Sequence, residues 1–155
     1  MRDYKRVSVY HLLDQLELDA YAAVRDLPAS ERGLVGMPLF QATTQATAAV
    51  IHGCMSRNCV TLLPYIEKAH ALIEESGQHL RLMQRTNALD EAALAVLFQR
   101  QQSCARLLLQ WRHTLLMNQE RNELDDDGAW MVAEDAGLLP TAPAPQRKKK
   151  NPSRS

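Results

Sequence analysis

Aromatic side chains make up only 5% of this 155-residue chain. Strands are built largely from β-branched and aromatic residues, whereas Leu, Ala and Gln, abundant here, favour helix. The scarcity therefore argues against a sheet. Cysteine is sparse too. Cys54, Cys59 and Cys104 are odd in number and form no CxxC pair, so they read as reduced thiols rather than a disulfide framework. No run approaches the roughly eighteen apolar residues of a membrane span. No apolar segment follows the opening MRDYKR, so no signal peptide is expected and the expected location is the cytoplasm. Neither sign of charge is in excess, with 18 Lys and Arg against 18 Asp and Glu.

That neutrality hides a segregation. Residues 1–119 hold twelve Lys/Arg and eleven Asp/Glu. The next stretch, 120–135, holds seven acids (Glu120, Glu123, Asp125, Asp126, Asp127, Glu134, Asp135) against Arg121 alone. From 146 onward stand Arg147, Lys148, Lys149, Lys150 and Arg154, with no acid. Charge blocks of this kind mark solvated interaction tails. The chain is 46% hydrophobic, enough for one globular domain followed by an extension.

Apolar periodicity gives four helices. Val9, Leu13, Leu16, Ala20 and Val24 draw one stripe over about 4–26, ended by Pro28. A second helix, about 35–54, takes Pro38 in its first turn. Its middle, QATTQATAAV, has small side chains that permit close approach, and Gly53 reads as its stop. The third, about 61–85, takes Thr61 as cap, with Pro64 in the first turn and Gly77 inside. The fourth starts at the N-cap Asp90 and runs to about Glu120. Leu62, Ile66, Ala69, Ile73, Ser76, Leu80 and Met83 share a heptad seam. So do Leu94, Leu97, Gln101, Cys104, Leu108, Trp111 and Leu115. Short connections make neighbouring helices antiparallel. The expectation is an all-α, antiparallel four-helix bundle over 1–122. An acidic linker with a short helix at Ala129 to Ala136 would cover 123–139. A Pro/Ala linker and basic tail, disordered when free, would cover 140–155.

Catalytic patterns are missing. There is no Gly-rich phosphate loop, no G-x-S-x-G and no H-E-x-x-H. Glu67-Lys-Ala-His70 has the spacing of half a bundle di-metal site, but no second such pair exists, so a solvated Glu and His are expected. His52, Cys54 and Cys59 form an incomplete zinc set. Cys104 and His113 are too far apart on one helix to act as nucleophile and base. No enzyme, metal, cofactor or small-molecule substrate is expected. Cys104 and Trp111 read as core residues. Ser76 and Gln101 on the seam have two readings: buried polar groups that fix register, or a heptad drawn one position off. Arg81 and Arg85 lie one turn apart. Arg100, Arg106 and Arg112 drift round their helix. Such arginines clamp phosphate or simply solvate a helix face.

The N-terminal half carries an ordered set of short motifs: YKRVSVY from Tyr4 to Tyr10, Pro28 eighteen residues on, PASER, then AAVIHG ending at Gly53, and Arg57. In order and spacing these resemble the bacterial four-helix-bundle family of ribosomal-RNA intervening-sequence proteins. That group includes the accessory variability-determinant (Avd) proteins of diversity-generating retroelements. Phe40 and Gln41 stand where many members carry paired arginines, and His52 where an acid is usual. The resemblance implies a homopentamer. For the Avd branch it implies binding to a reverse transcriptase and its RNA. The function expected is a non-enzymatic oligomeric adaptor for RNA and a retroelement reverse transcriptase. Arg57, Arg81, Arg85, Arg147, Lys148, Lys149, Lys150 and Arg154 would bind nucleic acid, while Glu123, Asp125, Asp126 and Asp127 would meet the protein partner. The alternative is a protein-binding scaffold with a merely solubilising tail.

Overall fold

The computed structural model of the chain describes residues 4–56 and 59–120. The acidic linker and basic tail expected over 123–139 and 140–155 lie outside the described residues. Among the described residues there is no strand, and four long helices pack against one another: α1 Ser8–Arg25, α2 Met37–Cys54, α3 Cys59–Arg85 and α4 Glu91–Glu120. Helix α1 touches α2 and α4, and α3 touches the same two. The diagonal pairs make no close backbone approach, so the helices occupy the corners of a square. The shared interior holds Leu13, Leu16, Leu39, Ile66, Ile73, Leu80 and Trp111, all fully buried.

The entry to α1 departs from the expected single helix. A 3-10 turn, Tyr4–Arg6, is set off from α1 by Val7, whose backbone is extended at φ −84° and ψ 121°. Val7 is fully buried, and the Tyr4 ring meets Tyr10 edge-on at 4.9 Å. The YKRVSVY motif thus folds the N-terminal segment back onto α1. An edge-to-face aromatic contact and one buried valine hold it there.

PASER also acquires a structural meaning. Pro28 stops α1, and its carbonyl accepts the N–H groups of Glu31 and Arg32 to start the next turn. The Arg32 guanidinium then reaches back. Its Nη2 donates to the carbonyl oxygens of Arg25 at 3.2 Å and Leu27 at 3.0 Å. Helix ends leave such carbonyls without partners, and a cation there also suits the helix dipole. Arg32→Ala should lower stability by about 0.5–1.5 kcal/mol, a loss of a few degrees in Tm. An unchanged melting curve would show that water replaces the guanidinium at no cost.

The second helix is entered earlier than Val35: Ala29–Glu31 is already an α-helical turn and Arg32–Gly36 a π-helical one, from which regular α2 continues at Met37. A Cβ on Gly36 would lie 2.9 Å from Val24 Cγ1 and 3.0 Å from Leu27 Cδ1, so this turn lies directly against the end of α1. Pro38 falls in the first turn of α2, as its missing N–H requires. Gly53 does not stop the helix. It lies inside α2, and a Cβ there would come within 3.0 Å of Leu62 and Tyr65. Its role is close approach between α2 and α3. The small side chains of α2 serve the same end: Ala42, Ala46, Ala49, Thr43 and Thr47 are buried within the chain. The two threonines satisfy their hydroxyls on the preceding turn, Thr43 to the Phe40 carbonyl at 2.8 Å and Thr47 to that of Thr43 at 3.1 Å.

Helix α3 starts two residues before the expected cap, so Thr61 lies inside it and Pro64 withholds an N–H from its interior. It ends in a Schellman motif. Asn87 adopts φ 52°, its N–H bonds Gln84 O at 3.3 Å, and Ala88 N bonds Met83 O at 3.0 Å. Asparagine tolerates that left-handed conformation well. Asp90 caps α4 as expected, its Oδ1 accepting from Ala93 N at 3.2 Å.

Ser76 is fully buried and Gln101 is 6% exposed, so the seam is in register and the shifted-heptad reading is set aside. Both side chains converge on one carbonyl. Ser76 Oγ donates to Ile73 O at 2.6 Å, and Gln101 Nε2 donates to the same oxygen from α4 at 3.0 Å. Gly77 lets the amide in: a Cβ there would sit 2.9 Å from Gln101 Nε2. The glycine inside α3 is therefore the receptor for a side chain of α4.

Candidate functional site

Of the eight residues expected at a nucleic-acid surface, two are described, Arg81 and Arg85. Arg57, Arg147, Lys148, Lys149, Lys150 and Arg154 lie outside the described residues, as do the expected partner-binding Glu123, Asp125, Asp126 and Asp127. Arg81 and Arg85 are exposed, one turn apart, in the second half of α3. No ion pair engages either one among the described residues. Arg85 stands in the last turn, where its charge also complements the helix dipole.

Arg81 lines a groove of about 370 Å³ between α3 and α4, together with Glu74, Gln84, Phe98, Gln101 and Gln102. Guanidinium and amide donors beside an aromatic edge suit a polar, planar or anionic ligand. Glu74 offsets part of the charge. The Gln101 amide at this groove is already engaged with Ile73.

The other arginines of the seam helix divide. Arg100 pairs with Asp19 of α1, and its Nη1 also donates to Gln15 Oε1 at 2.7 Å. Arg112 Nε donates to Glu67 Oε1 of α3 at 3.0 Å. These two tie helices together and offer little free charge to phosphate. Arg106 is exposed and enters no ion pair among the described residues. The partition was not visible in the sequence, because each partner lies 45 or more positions away.

Other singled-out groups take structural places. Glu67 faces Arg112, and His70 lies 3.9 Å from Glu74, so the Glu67–His70 spacing does not converge on one point. His52 is exposed and meets Tyr65 edge-on at 6.3 Å, whereas Cys54 is buried. Among the described residues, no three His, Cys, Asp or Glu side chains gather to hold a metal ion. Cys104 is fully enclosed, and burial pushes its thiol up to about 12 against the lowering pull of Arg100. A thiol so far from its thiolate form is a core group. Trp111 is 1% exposed, with its indole N–H buried and without an acceptor among the described residues. It fills the interior and offers no stacking face.

Exposed apolar side chains form a second surface. Leu18 and Tyr21 share a face of α1, and the Tyr21 ring lies 6.0 Å from Phe40 of α2. Met37, one turn before Phe40, is 39% exposed. Residue spacing did not single out this strip, because each member falls off the seam of its own helix. Among the described residues no helix is long and apolar enough to cross a membrane. Compared with known proteins, the chain matches no family model, no curated protein and no solved structure.

Proposed function

We propose that the chain is a non-enzymatic, oligomeric adaptor that binds nucleic acid, in the form of RNA, and a reverse transcriptase of a retroelement. One observation carries the nucleic-acid part: charge is segregated. Five cations lie together at 147–154, beyond a neutral body. Within that body Arg100 and Arg112 are held in interhelical pairs. Phosphate binding therefore falls to the basic segment, with Arg81, Arg85 and Arg106 among the cations the body leaves exposed for it. Contacts of this kind set affinity without reading sequence.

The body acts as the protein-binding part. We infer an antiparallel four-helix bundle from the square of helices and the short links between neighbours. The pentamer and the polymerase partner rest on the motif resemblance. The acidic stretch Glu123 to Asp127 supplies charge complementary to a basic polymerase, and such contacts mostly govern on-rate and orientation. The cytoplasm is the compartment in which this partner would be met.

The strip of Leu18, Tyr21, Phe40 and Met37 favours a second reading, a scaffold whose interfaces are purely protein. Both readings predict self-association, since a ring of heterologous contacts would cover the strip. Light scattering at micromolar concentration should give several times the 17.5 kDa chain mass. A monomer would remove the oligomer from both. They part on what comes with the protein. Purified by tag from its native host, the adaptor should bring a reverse transcriptase, and less of it when Asp125, Asp126 and Asp127 become Asn. Recovery of the protein with no polymerase and no RNA above background leaves the scaffold.

A further inference from the structure

A groove of about 500 Å³ opens between the end of α1, the α3–α4 turn and the first turns of α4. Its walls are apolar and mostly small: Ala22, Ala23, Ala88 and Ala93, over Leu27 and Leu97. Val96, 46% exposed, forms one lip. Three carboxylates line it, Asp19, Asp26 and Asp90, and no Lys or Arg does. Asp19 is matched by Arg100. Asp26 has only its neighbour Arg25 at 3.4 Å, in a pair more than 60% exposed on both sides, and such pairs are weak. Asp90 caps α4 and meets no cation among the described residues.

A ligand for this groove needs small apolar groups followed by cations. The chain's own PTAPAPQRKKK, residues 140–150, has that order: Pro and Ala first, then Arg147 and three lysines. A Pro-rich strand enters a groove at low entropic cost, since proline fixes φ beforehand. The span is adequate. From Glu120 back to Ala93, α4 rises about 40 Å at 1.5 Å per residue. The roughly 20 residues from 121 to 140 extend to about 65–70 Å. A competing segment, AWMVAEDAGLL at 129–139, is more apolar but carries Glu134 and Asp135, which Asp26 and Asp90 would repel. Its first residues are also tethered by too few residues to cover about 40 Å.

We propose that residues 140–150 dock into this groove of their own chain, the Pro/Ala stretch on the alanine-lined floor and Arg147 to Lys150 against Asp26 and Asp90. Tethering raises the effective concentration to about the millimolar range, so a weak contact is enough. The docking goes beyond the nucleic-acid reading and does not depend on it.

Methyl NMR of the full chain at low salt, without nucleic acid, tests the docking. Changing Arg147, Lys148, Lys149 and Lys150 to Gln should shift the methyls of Ala22, Ala23, Ala93 and Val96 and leave those of Ile66 and Leu108 in place. Asp26→Asn with Asp90→Asn should shift the same set. Asparagine keeps the cap on α4, so the body stays folded. High salt should reproduce the effect in the unaltered chain and do nothing in the variants. No shift at the groove, or shifts spread over the whole body, would overturn the proposal. A labelled tail variant mixed with unlabelled intact chain should remain unshifted; a groove shift there would mean that another copy supplies the segment. RNA binding can fail while the groove shifts persist, or persist while they fail, so the two readings fall separately.

Discussion

Gly77→Ala is expected to destabilise the folded chain by about 1–3 kcal/mol, the cost of stranding a buried polar group. The direction is opposite to the usual one. At an exposed interior site the same change stabilises a helix by about 1 kcal/mol. Here the new Cβ would stand 2.9 Å from Gln101 Nε2 and 3.2 Å from its Cδ. The amide is the mobile end of its side chain, but it is buried and donates to Ile73 O at 3.0 Å. Moving it breaks that bond between α3 and α4. A double-mutant cycle isolates the effect. In a Gln101→Ala background the obstruction is gone, and Gly77→Ala should become neutral or stabilising by up to about 1 kcal/mol. Urea unfolding of the four proteins should give a coupling of about 1–4 kcal/mol, the difference between those two outcomes. Additive effects would mean that Gly77 and Gln101 do not hold α3 to α4 in the way described.

Periodicity made the helices and their buried faces legible. The stripe of α1, the two seams, the Asp90 cap, the place of Pro38 and the burial of Cys104 and Trp111 all follow from spacing within one segment. What spacing could not supply depends on neighbours in space. Gly53 looks like a stop until Leu62 and Tyr65 are seen against it, and Gly77 looks like a defect until Gln101 is. The break at Val7 follows from the Tyr4–Tyr10 contact, and Arg32 caps a helix that ended seven residues earlier. The Asn87 turn was readable in principle, since an Asn just past a helix is a known ending. Of the interface, sequence singled out Arg81 and Arg85, which the fold does place together on one exposed face of α3. It could not tell that Arg100 and Arg112 are engaged, because their partners lie on other helices. Most of the proposed interface is a property of the charge blocks themselves.

Removing those charges is the larger functional prediction. Each phosphate neutralised contributes about −0.7 to −0.9 to the slope of log affinity against log salt. Four or five contacts from Arg147, Lys148, Lys149, Lys150 and Arg154 give a slope of about −3 to −4.5. RNA affinity of the full chain should then fall by roughly 60- to 500-fold between 50 and 200 mM salt, following that slope. With all five changed to Ala the slope should become shallow, leaving what the arginines of the body, Arg57, Arg81, Arg85 and Arg106, supply. Arg100→Gln should leave the slope untouched, because that guanidinium is held by Asp19 and Gln15. The measurement is a salt series of RNA binding, full chain beside the five-alanine variant, at one protein preparation and one RNA length. A slope near −3 to −4.5 that collapses in the variant supports a nucleic-acid adaptor whose charge resides in residues 147–154. The same slope in both proteins, or no RNA binding by the full chain at 50 mM salt, contradicts it.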